Sequence, residues 1–461
     1  MKIKEIIKIT QGKLLSGDPN TDIDPATIST DSRTIKCGGL FIALKGPNFD
    51  GNKFVDDAFK KGAIGAIVTQ HAAVRSEAEP PRRGRSTQHE KVVIRVNDGA
   101  KALGQIAAYH RRQFNIHVIA VTGSNGKTTV KEMISVVLGT KYNVLKNEGT
   151  NNNHIGVPQT LLGLNKKHTI AVLELGANHE GEIDKLAGIA GPTAAVITNI
   201  GSSHLEFFGS LEGVFSAKKE ILRHLKRPGF AVLNGDDEYL SAVRPGRFKI
   251  IRYGLGGRND HRAADIYSGR RGICFTVNGR EDYKLNLLGI HNVYNALSAI
   301  AVAKEFGIGY GSIRAGLATF RPARMRLDLK KIKGIDIIND SYNSNPFSMR
   351  AALDVVRHYP ATTRWVVSGD MLELGGAAVR FHKEIGERIA ESGAAGLLTF
   401  GRLSKHTLSG ARACGMAKNR LWHCATHGDI AGVLKKVVKR GDVVLLKGSR
   451  SMAMEKVLEF F

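Results

Sequence analysis

Val118-Ile119-Ala120-Val121-Thr122-Gly123-Ser124-Asn125-Gly126-Lys127-Thr128-Thr129 is the stretch on which the fold turns. Its first four residues have the composition of a buried strand, and a helical pattern runs from Val130 through Val137. A strand, a glycine turn and a helix start present backbone N–H groups to an anion. The helix dipole favours negative charge there, and Lys127 adds a full positive one. Thr128 is placed to put a hydroxyl on the Mg²⁺ that accompanies a nucleoside triphosphate. Val121 occupies the first glycine position of the generic G-x-x-x-x-G-K-[ST] loop, so what stands is the shorter G-x-x-G-K-T. An ordinary glycine turn is the bland alternative, but it does not account for Lys-Thr at the helix start. Gly123, Ser124, Asn125, Gly126, Lys127, Thr128 and Thr129 are therefore the expected triphosphate contacts.

A chain of 461 residues exceeds a single hydrophobic core. An apolar share of 42% and a charged share of 24% place it among globular proteins. No apolar run approaches the ~20 residues that span a bilayer. Met1 to Lys8 has charges spread through it and no signal-peptide core. The expectation is a cytoplasmic monomer without stable membrane insertion. Cys37, Cys274, Cys414 and Cys424 are scattered with no C-x-x-C pair, which supports neither a disulfide framework nor a zinc site. Buried small hydrophobes is the expectation for them. The formal net charge of +25 raises the question of nucleic acid. Its basic residues are dispersed, however, and even the richest stretch, Arg244 to Arg271, has few aromatics among its charges. A generally basic surface suited to anionic substrates is the preferred reading, with no nucleic-acid partner.

Strand-like and helical patterns alternate along most of the chain, which implies βαβ units and an α/β fold with mostly parallel sheets. Residues 1–95 form a first unit, with a strand at Leu40-Leu44, a helix at Phe54-Phe59 and a strand at Ala66-Val68. Within it, the polar stretch Arg75 to Glu90 lacks apolar periodicity and is expected to be a loop. Residues 96–320 form the central unit, with a helix from Gly99 to Gln113, the phosphate loop, strands at Ile170-Leu173, Ala194-Ile197 and Gly229-Asn234, and a β-rich region to Leu288. A helix through Val293-Ala301 follows. Residues 321–461 alternate again, with strands at Ile335-Ile338, Arg364-Val367, Gly396-Phe400 and Val443-Leu446, as in a smaller Rossmann-like, doubly wound domain.

Glu174 follows the strand Ile170-Leu173, and His204 follows Ala194-Ile197. Strand ends of a doubly wound sheet collect ligands, and a carboxylate there can hold Mg²⁺. Ser216-Ala217-Lys218-Lys219-Glu220-Ile221 lies on a helical stretch whose bland reading is a solvated basic face. In their order, the loop, Glu174, His204, Ala217-Lys218 and Gly289-Ile290-His291-Asn292-Val293-Tyr294-Asn295-Ala296 resemble the Mur ligase family, which builds the peptide stem of peptidoglycan. The resemblance covers essentially the whole chain. Asp340-Ser341-Tyr342-Asn343-Ser344-Asn345-Pro346, Gly369-Asp370-Met371-Leu372-Glu373-Leu374-Gly375 and Leu446-Lys447-Gly448-Ser449-Arg450 are similar to the members that add D-alanyl-D-alanine to a UDP-N-acetylmuramoyl tripeptide. The Asp-Asn-Pro-Arg signature of the members that add the third residue is absent.

The resemblance implies three domains, ATP, two Mg²⁺ ions, and these two substrates as partners. It assigns Lys127 to the β- and γ-phosphates, and Thr128, Glu174, His204 and Lys218 to the metal sites, Lys218 through a carbamate. Asn292 and Asn295 fall in the adenine pocket, while Arg324 and Asp340 are the last domain's contributions to phosphate and ribose. Ser32, Arg33 and Asp50 match the site for the UDP end of the substrate, with Asn52 where the family usually has His. Asn152 and Asn153 match the central substrate loop, and Tyr342, Asn343 and Asn345 complete the substrate set. Closure of the last domain on nucleotide is also implied. No side-chain nucleophile is needed for acyl-phosphate chemistry, and the general base stays unassigned. Three alternatives stay open: a nucleic-acid-binding ATPase, another amide ligase of the superfamily such as a tripeptide or folylpolyglutamate synthetase, and a catalytically inactive homologue.

Overall fold

The computed structural model describes residues 1–69, 90–270 and 272–461. All but the last residue of the stretch Arg75 to Glu90, expected to be a loop, lies outside them. The described chain divides into two compact units that interleave along the sequence. The first comprises Met1–Ala120, Tyr142–Gly176 and Glu182–Thr193, and the second Val121–Lys141, Ala177–Gly181 and Ala194–Phe461.

In the first unit, Gly65–Val68 pairs in parallel with Leu40–Ile42 on one side and Val92–Arg95 on the other. All four of its residues are buried, as expected of a central parallel strand covered on both faces. Lys13–Ser16 runs antiparallel at the edge. Asp98 caps the helix Gly99–Arg112 by accepting from the N–H groups of Ala100 and Lys101. Elsewhere in this unit, Val144–Lys146 pairs in parallel with Ile170–Glu174, whose five residues are all buried. That strand is one residue longer than its apolar run, because Glu174 is drawn into it.

In the second unit, Ala194–Ile197, Phe230–Asn234, Lys249–Gly254 and His261–Gly269 pair in parallel, in that order. Gly272–Val277 and Glu281–Leu285 extend this set antiparallel, with the buried/exposed alternation of a sheet wetted on one face. The loop helix Lys127–Leu138 packs on the helix His291–Glu305. The C-terminal sheet has the order Asp328–Ile332, Ile335–Asp340, Val443–Lys447, Arg364–Gly369, Gly396–Phe400, Leu421–Cys424, with only the first strand antiparallel. Consecutive strand residues point to opposite faces. Ile338, Val366, Leu397 and Leu445 accordingly join one core with Met349, Leu353 and Ile385. Ile337, Val367, Leu398 and Leu446 join another with Ile430, Leu434 and Met454. Helices thus cover both faces, as in a doubly wound domain.

The cysteines correct an expectation. Only Cys424 is buried, whereas Cys37, Cys274 and Cys414 are exposed, all as free thiols. Cys274 sits on the outward phase of an alternating strand and Cys414 at the end of the helix Lys405–Ala413, so neither position faces a core. Among the described residues, no helix is long and apolar enough to cross a membrane.

Candidate active site

The phosphate loop is braced from behind by the segment after Ala194–Ile197. Ser124 N–H donates to Asn199 O at 3.0 Å, and Asn125 N–H to Asn199 Oδ1 at 3.0 Å. Thr198 Oγ1 donates to Asn125 O at 2.5 Å, and Gly201 N–H to Ser124 Oγ at 2.9 Å. Gly126 is the helix N-cap and brings no side-chain acceptor. The N–H groups of Thr128 and Thr129 in the first turn are consequently available to an anion. Lys127 Nζ lies on Gly123 O and Ser124 O, at 2.9 and 3.2 Å. Gly126 has a φ of +81°, and a Cβ there would stand 2.6 Å from Asn295 Oδ1. Asn295 Nδ2 donates to Asn292 Oδ1 at 2.9 Å, and Asn292 Nδ2 to Leu288 O at 2.8 Å. The two asparagines expected at the adenine pocket therefore back the loop as a linked, buried pair.

Lys218 and Lys219, adjacent in sequence, have opposite surroundings. The helix Leu211–Lys219 turns Lys218 inward, 1% exposed, with Nζ donating to Ala177 O at 3.2 Å and 5.2 Å from the Phe208 ring centroid. Lys219 is exposed over Phe215. His204, at a φ of +53°, brings Nδ1 to 2.6 Å from Glu373 Oε2. Burial holds the His204 imidazole below its ordinary pKa; Glu373 opposes this, and the charges of Lys127 and Lys218 reinforce it. Lys127, His204 and Lys218 thus share one electrostatic neighbourhood.

The C-terminal segment reaches the loop at two further points. Asn345 Nδ2 donates to Asn125 Oδ1 at 3.0 Å, while Asn345 Oδ1 caps the helix Pro346–His358. Arg326, two residues beyond the expected Arg324, donates from Nη2 to Thr128 Oγ1 at 3.1 Å and stacks its guanidinium 4.2 Å from the Tyr342 ring centroid. Arg324 itself is exposed. Asp340 accepts from Lys447 Nζ at 2.5 Å and from Leu327 N–H at 3.1 Å, and Lys447 also donates to Asn343 O at 3.0 Å. Sequence reading missed Arg326, Lys447 and the Glu373 contact to His204. All three lie in or beside stretches that it singled out, but only the fold assigns them neighbours.

In the first unit, Glu174 is buried, its Oε1 accepting from Asn152 Nδ2 at 2.7 Å, and Asn147 bonds its backbone N–H and carbonyl. Glu174 Oε2 is buried without a hydrogen-bond partner. An uncompensated buried carboxylate oxygen suits a hard cation. Among the described residues, no group of three or more His, Cys, Asp or Glu side chains could hold a metal ion. A dedicated protein cage is not what Mg²⁺ requires, because it takes one or two carboxylates with substrate phosphates and water. In the first unit, the unpartnered Glu174 Oε2 fits that need.

At the expected UDP site, Asp31 grips the Arg33 guanidinium at 2.8 Å, and that contact holds the Asp31 carboxyl down to about 2. Ser32 is buried beside them. Asn52 bridges Asp50 Oδ1 at 2.7 Å and Thr69 Oγ1 at 2.9 Å, so its amide pins the turn. Asn153 Oδ1 accepts from Ile155 and Gly156 N–H and starts the helix Gly156–Leu162. From that helix Gln159 Nε2 reaches Thr30 Oγ1 at 2.9 Å, tying the central substrate loop to the Ser29–Arg33 turn.

Three family models match in series: the Mur ligase family catalytic domain over residues 26–111, the Mur ligase middle domain over 121–303, and the Mur ligase glutamate ligase domain over 324–450. The "UDP-N-acetylmuramoyl-tripeptide--D-alanyl-D-alanine ligase" of Bacillus subtilis (strain 168) is 38% identical over 460 residues, covering 99% of this chain and 97% of that protein. The chain belongs to the Mur ligase family. Among solved Mur ligases, MurF from Acinetobacter baumannii superposes with a TM-score of 0.88 at 33% identity, covering 99% of this chain and 98% of that one. MurF ligase from Thermotoga maritima in complex with ADP gives 0.83 at 29%, covering 95% and 98%. The fold is the three-domain α/β arrangement of Mur ligases.

Proposed function

We propose that this chain is an ATP-dependent ligase that joins D-alanyl-D-alanine to the terminal carboxyl of a UDP-N-acetylmuramoyl tripeptide, releasing ADP and phosphate. The observation that carries this reading is a phosphate loop with Lys127, a buried Lys218 and the His204–Glu373 contact within one compact unit, in a chain that follows its D-alanyl-D-alanine-adding relatives from end to end. The ADP complex of the Thermotoga maritima relative supports the nucleotide.

Attack of an amine on a free carboxylate in water is blocked by the poor leaving group, so the carboxylate is activated first. Its oxygen takes the γ-phosphoryl of ATP, the bond to the β-phosphate oxygen breaks, and an acyl phosphate results. The dipeptide amine then adds to the acyl carbon, loses a proton, and phosphate leaves. Lys127 and the helix N-terminus stabilise negative charge on the transferring group, at fixed positions that need no reorganisation. Mg²⁺, when bound, would supply positive charge against the charge that develops on the transferring phosphoryl group. Thr128, Glu174, His204 and a carbamate on Lys218 would hold two such ions. For the carbamate, a neutral Lys218 Nζ adds CO₂ and gives up a proton.

Asn292 and Asn295 serve the adenine, and Arg324, Asp340 and Arg326 bring the last domain to the nucleotide. Ser32, Arg33 and Asp50 take the uridine end of the substrate, with Asn152, Asn153, Tyr342, Asn343 and Asn345 along its course. These roles divide the chain into functional domains at 1–95, 96–320 and 321–461. The enzyme works in the cytoplasm as a monomer. A phosphate-release assay with UDP-tripeptides and Mg²⁺·ATP, with and without D-alanyl-D-alanine, tests the reading. Release that requires both acceptors is expected, and release indifferent to the dipeptide overturns it.

A further inference from the structure

A cavity of about 420 Å³ lies within the second unit, beside the His204–Glu373 contact. Leu205 and Glu206 form one wall, immediately after His204, and Leu374 another, immediately after Glu373. Leu211, Arg380 and Phe381 complete it. Its size is near the lower end for small-molecule sites, which run from about 300 to 1,000 Å³. The lining is divided in chemical character. Leucines and Phe381 supply apolar surface, Glu206 a carboxylate, and Arg380 a guanidinium lying 4.9 Å over the Phe381 ring. Neither Glu206 nor Arg380 is ion-paired among the described residues, so both charges stand open to a ligand.

We infer that this cavity is the seat of the amine substrate, a small zwitterionic dipeptide with alanine-sized side chains. The assignment rests on the ligase reading above and names a site for its second substrate. A zwitterion needs one group of each sign, and a carboxylate held by a planar guanidinium gains bidentate geometry. Arg380 binds the dipeptide carboxylate, the leucines and Phe381 receive its methyl groups, and Glu206 meets its ammonium. Orientation follows from position. Glu206 N–H donates to Glu373 O at 3.3 Å, so the acidic end of the cavity adjoins Glu373 and His204. His204, two residues before Glu206, belongs to the metal set of the ligase reading above. The amine is therefore presented toward the reacting centre, and the carboxylate is anchored away from it.

Steady-state phosphate release by the full chain tests the assignment, with Mg²⁺·ATP and UDP-tripeptide saturating and D-alanyl-D-alanine or its C-terminal amide varied. The wild-type protein should show a KM at least about tenfold higher for the amide, which lacks the carboxylate charge. Arg380→Ala should raise the KM for the acid about tenfold and abolish the distinction between acid and amide, with the KM values for ATP and UDP-tripeptide within twofold of wild type. Leu211→Trp, which narrows the cavity without touching either charge, should also raise the dipeptide KM selectively. If Arg380→Ala still discriminates acid from amide as the wild type does, the carboxylate assignment is overturned. A Leu211→Trp protein with unchanged dipeptide KM overturns the cavity itself. Wild-type phosphate release that ignores the dipeptide overturns the ligase reading, and this site with it.

Discussion

Substituting Gly126 by alanine isolates what the loop geometry contributes to nucleotide binding. At a φ of +81° an L-residue is strained by roughly 1–2 kcal/mol. The new Cβ would also lie 2.6 Å from Asn295 Oδ1, so the amide must move and loosen a hydrogen-bonded pair that contributes about 1 kcal/mol. The free protein relieves both by letting the loop leave its phosphate-binding shape, and ATP must then restore it. The expected loss in ATP affinity is about 2–3 kcal/mol, or about 30- to 150-fold. Gly181 is an internal control, since its φ is also +81° but nothing lies within 4 Å of a built Cβ. Gly181→Ala should lower stability by the strain alone and leave ATP affinity within threefold. Titration calorimetry with Mg²⁺·ATP measures both variants. An unchanged affinity in Gly126→Ala, or equal losses in the two, would refute the argument that contact with Asn295 decides the conformation of the loop.

Lys218→Ala should reduce kcat by at least about 100-fold, a barrier increase of roughly 2.7 kcal/mol, because its buried amine is the carbamate carrier; exposed Lys219→Ala should stay within threefold. Equal effects in the same phosphate-release assay would remove the assignment. For the thiols, burial pushes Cys424 up to about 11, so its thiolate at pH 8 is more than about a hundredfold scarcer than that of an ordinary cysteine. Mass spectrometry after brief alkylation should find Cys37, Cys274 and Cys414 modified and Cys424 only after unfolding. His382 accepts from Met371 N–H at 3.0 Å through Nε2 and donates through Nδ1 to Ala378 O at 2.7 Å, which fixes the neutral ring. Burial lowers its pKa, so the unfolded chain binds more protons below about pH 6.5, and this contribution to stability is present above that pH and lost as pH falls toward the depressed folded value. Thermal melts of wild type and His382→Gln between pH 7.5 and 5 should converge at the acid end; parallel curves would exclude His382 as a cause of acid destabilisation.

Much of this molecule was legible in the sequence because the deciding signals are local. An apolar run, a glycine turn and Lys-Thr at a helix start define the phosphate loop wherever they occur, since strand, turn and anion site are all made by neighbouring residues. Alternating apolar segments likewise dictated a doubly wound C-terminal domain, where pairs such as Val366 and Val367 had to be buried on opposite faces. Quoted motifs named Glu174, His204 and Lys218 in chain order. Sequence could not distinguish Lys218 from Lys219 by environment, because one residue is a rotation of about 100° on a helix and only packing says which side is buried. The sequence likewise pointed to Arg324 and passed over Arg326; the tertiary structure sets Arg326 on Thr128, 198 residues earlier in the chain. Three cysteines lie outside any core for the same reason, since small apolar character permits burial without requiring it. Composition and periodicity act over a few residues, whereas burial, charge neighbourhood and cavity shape are sums over segments that meet only after folding.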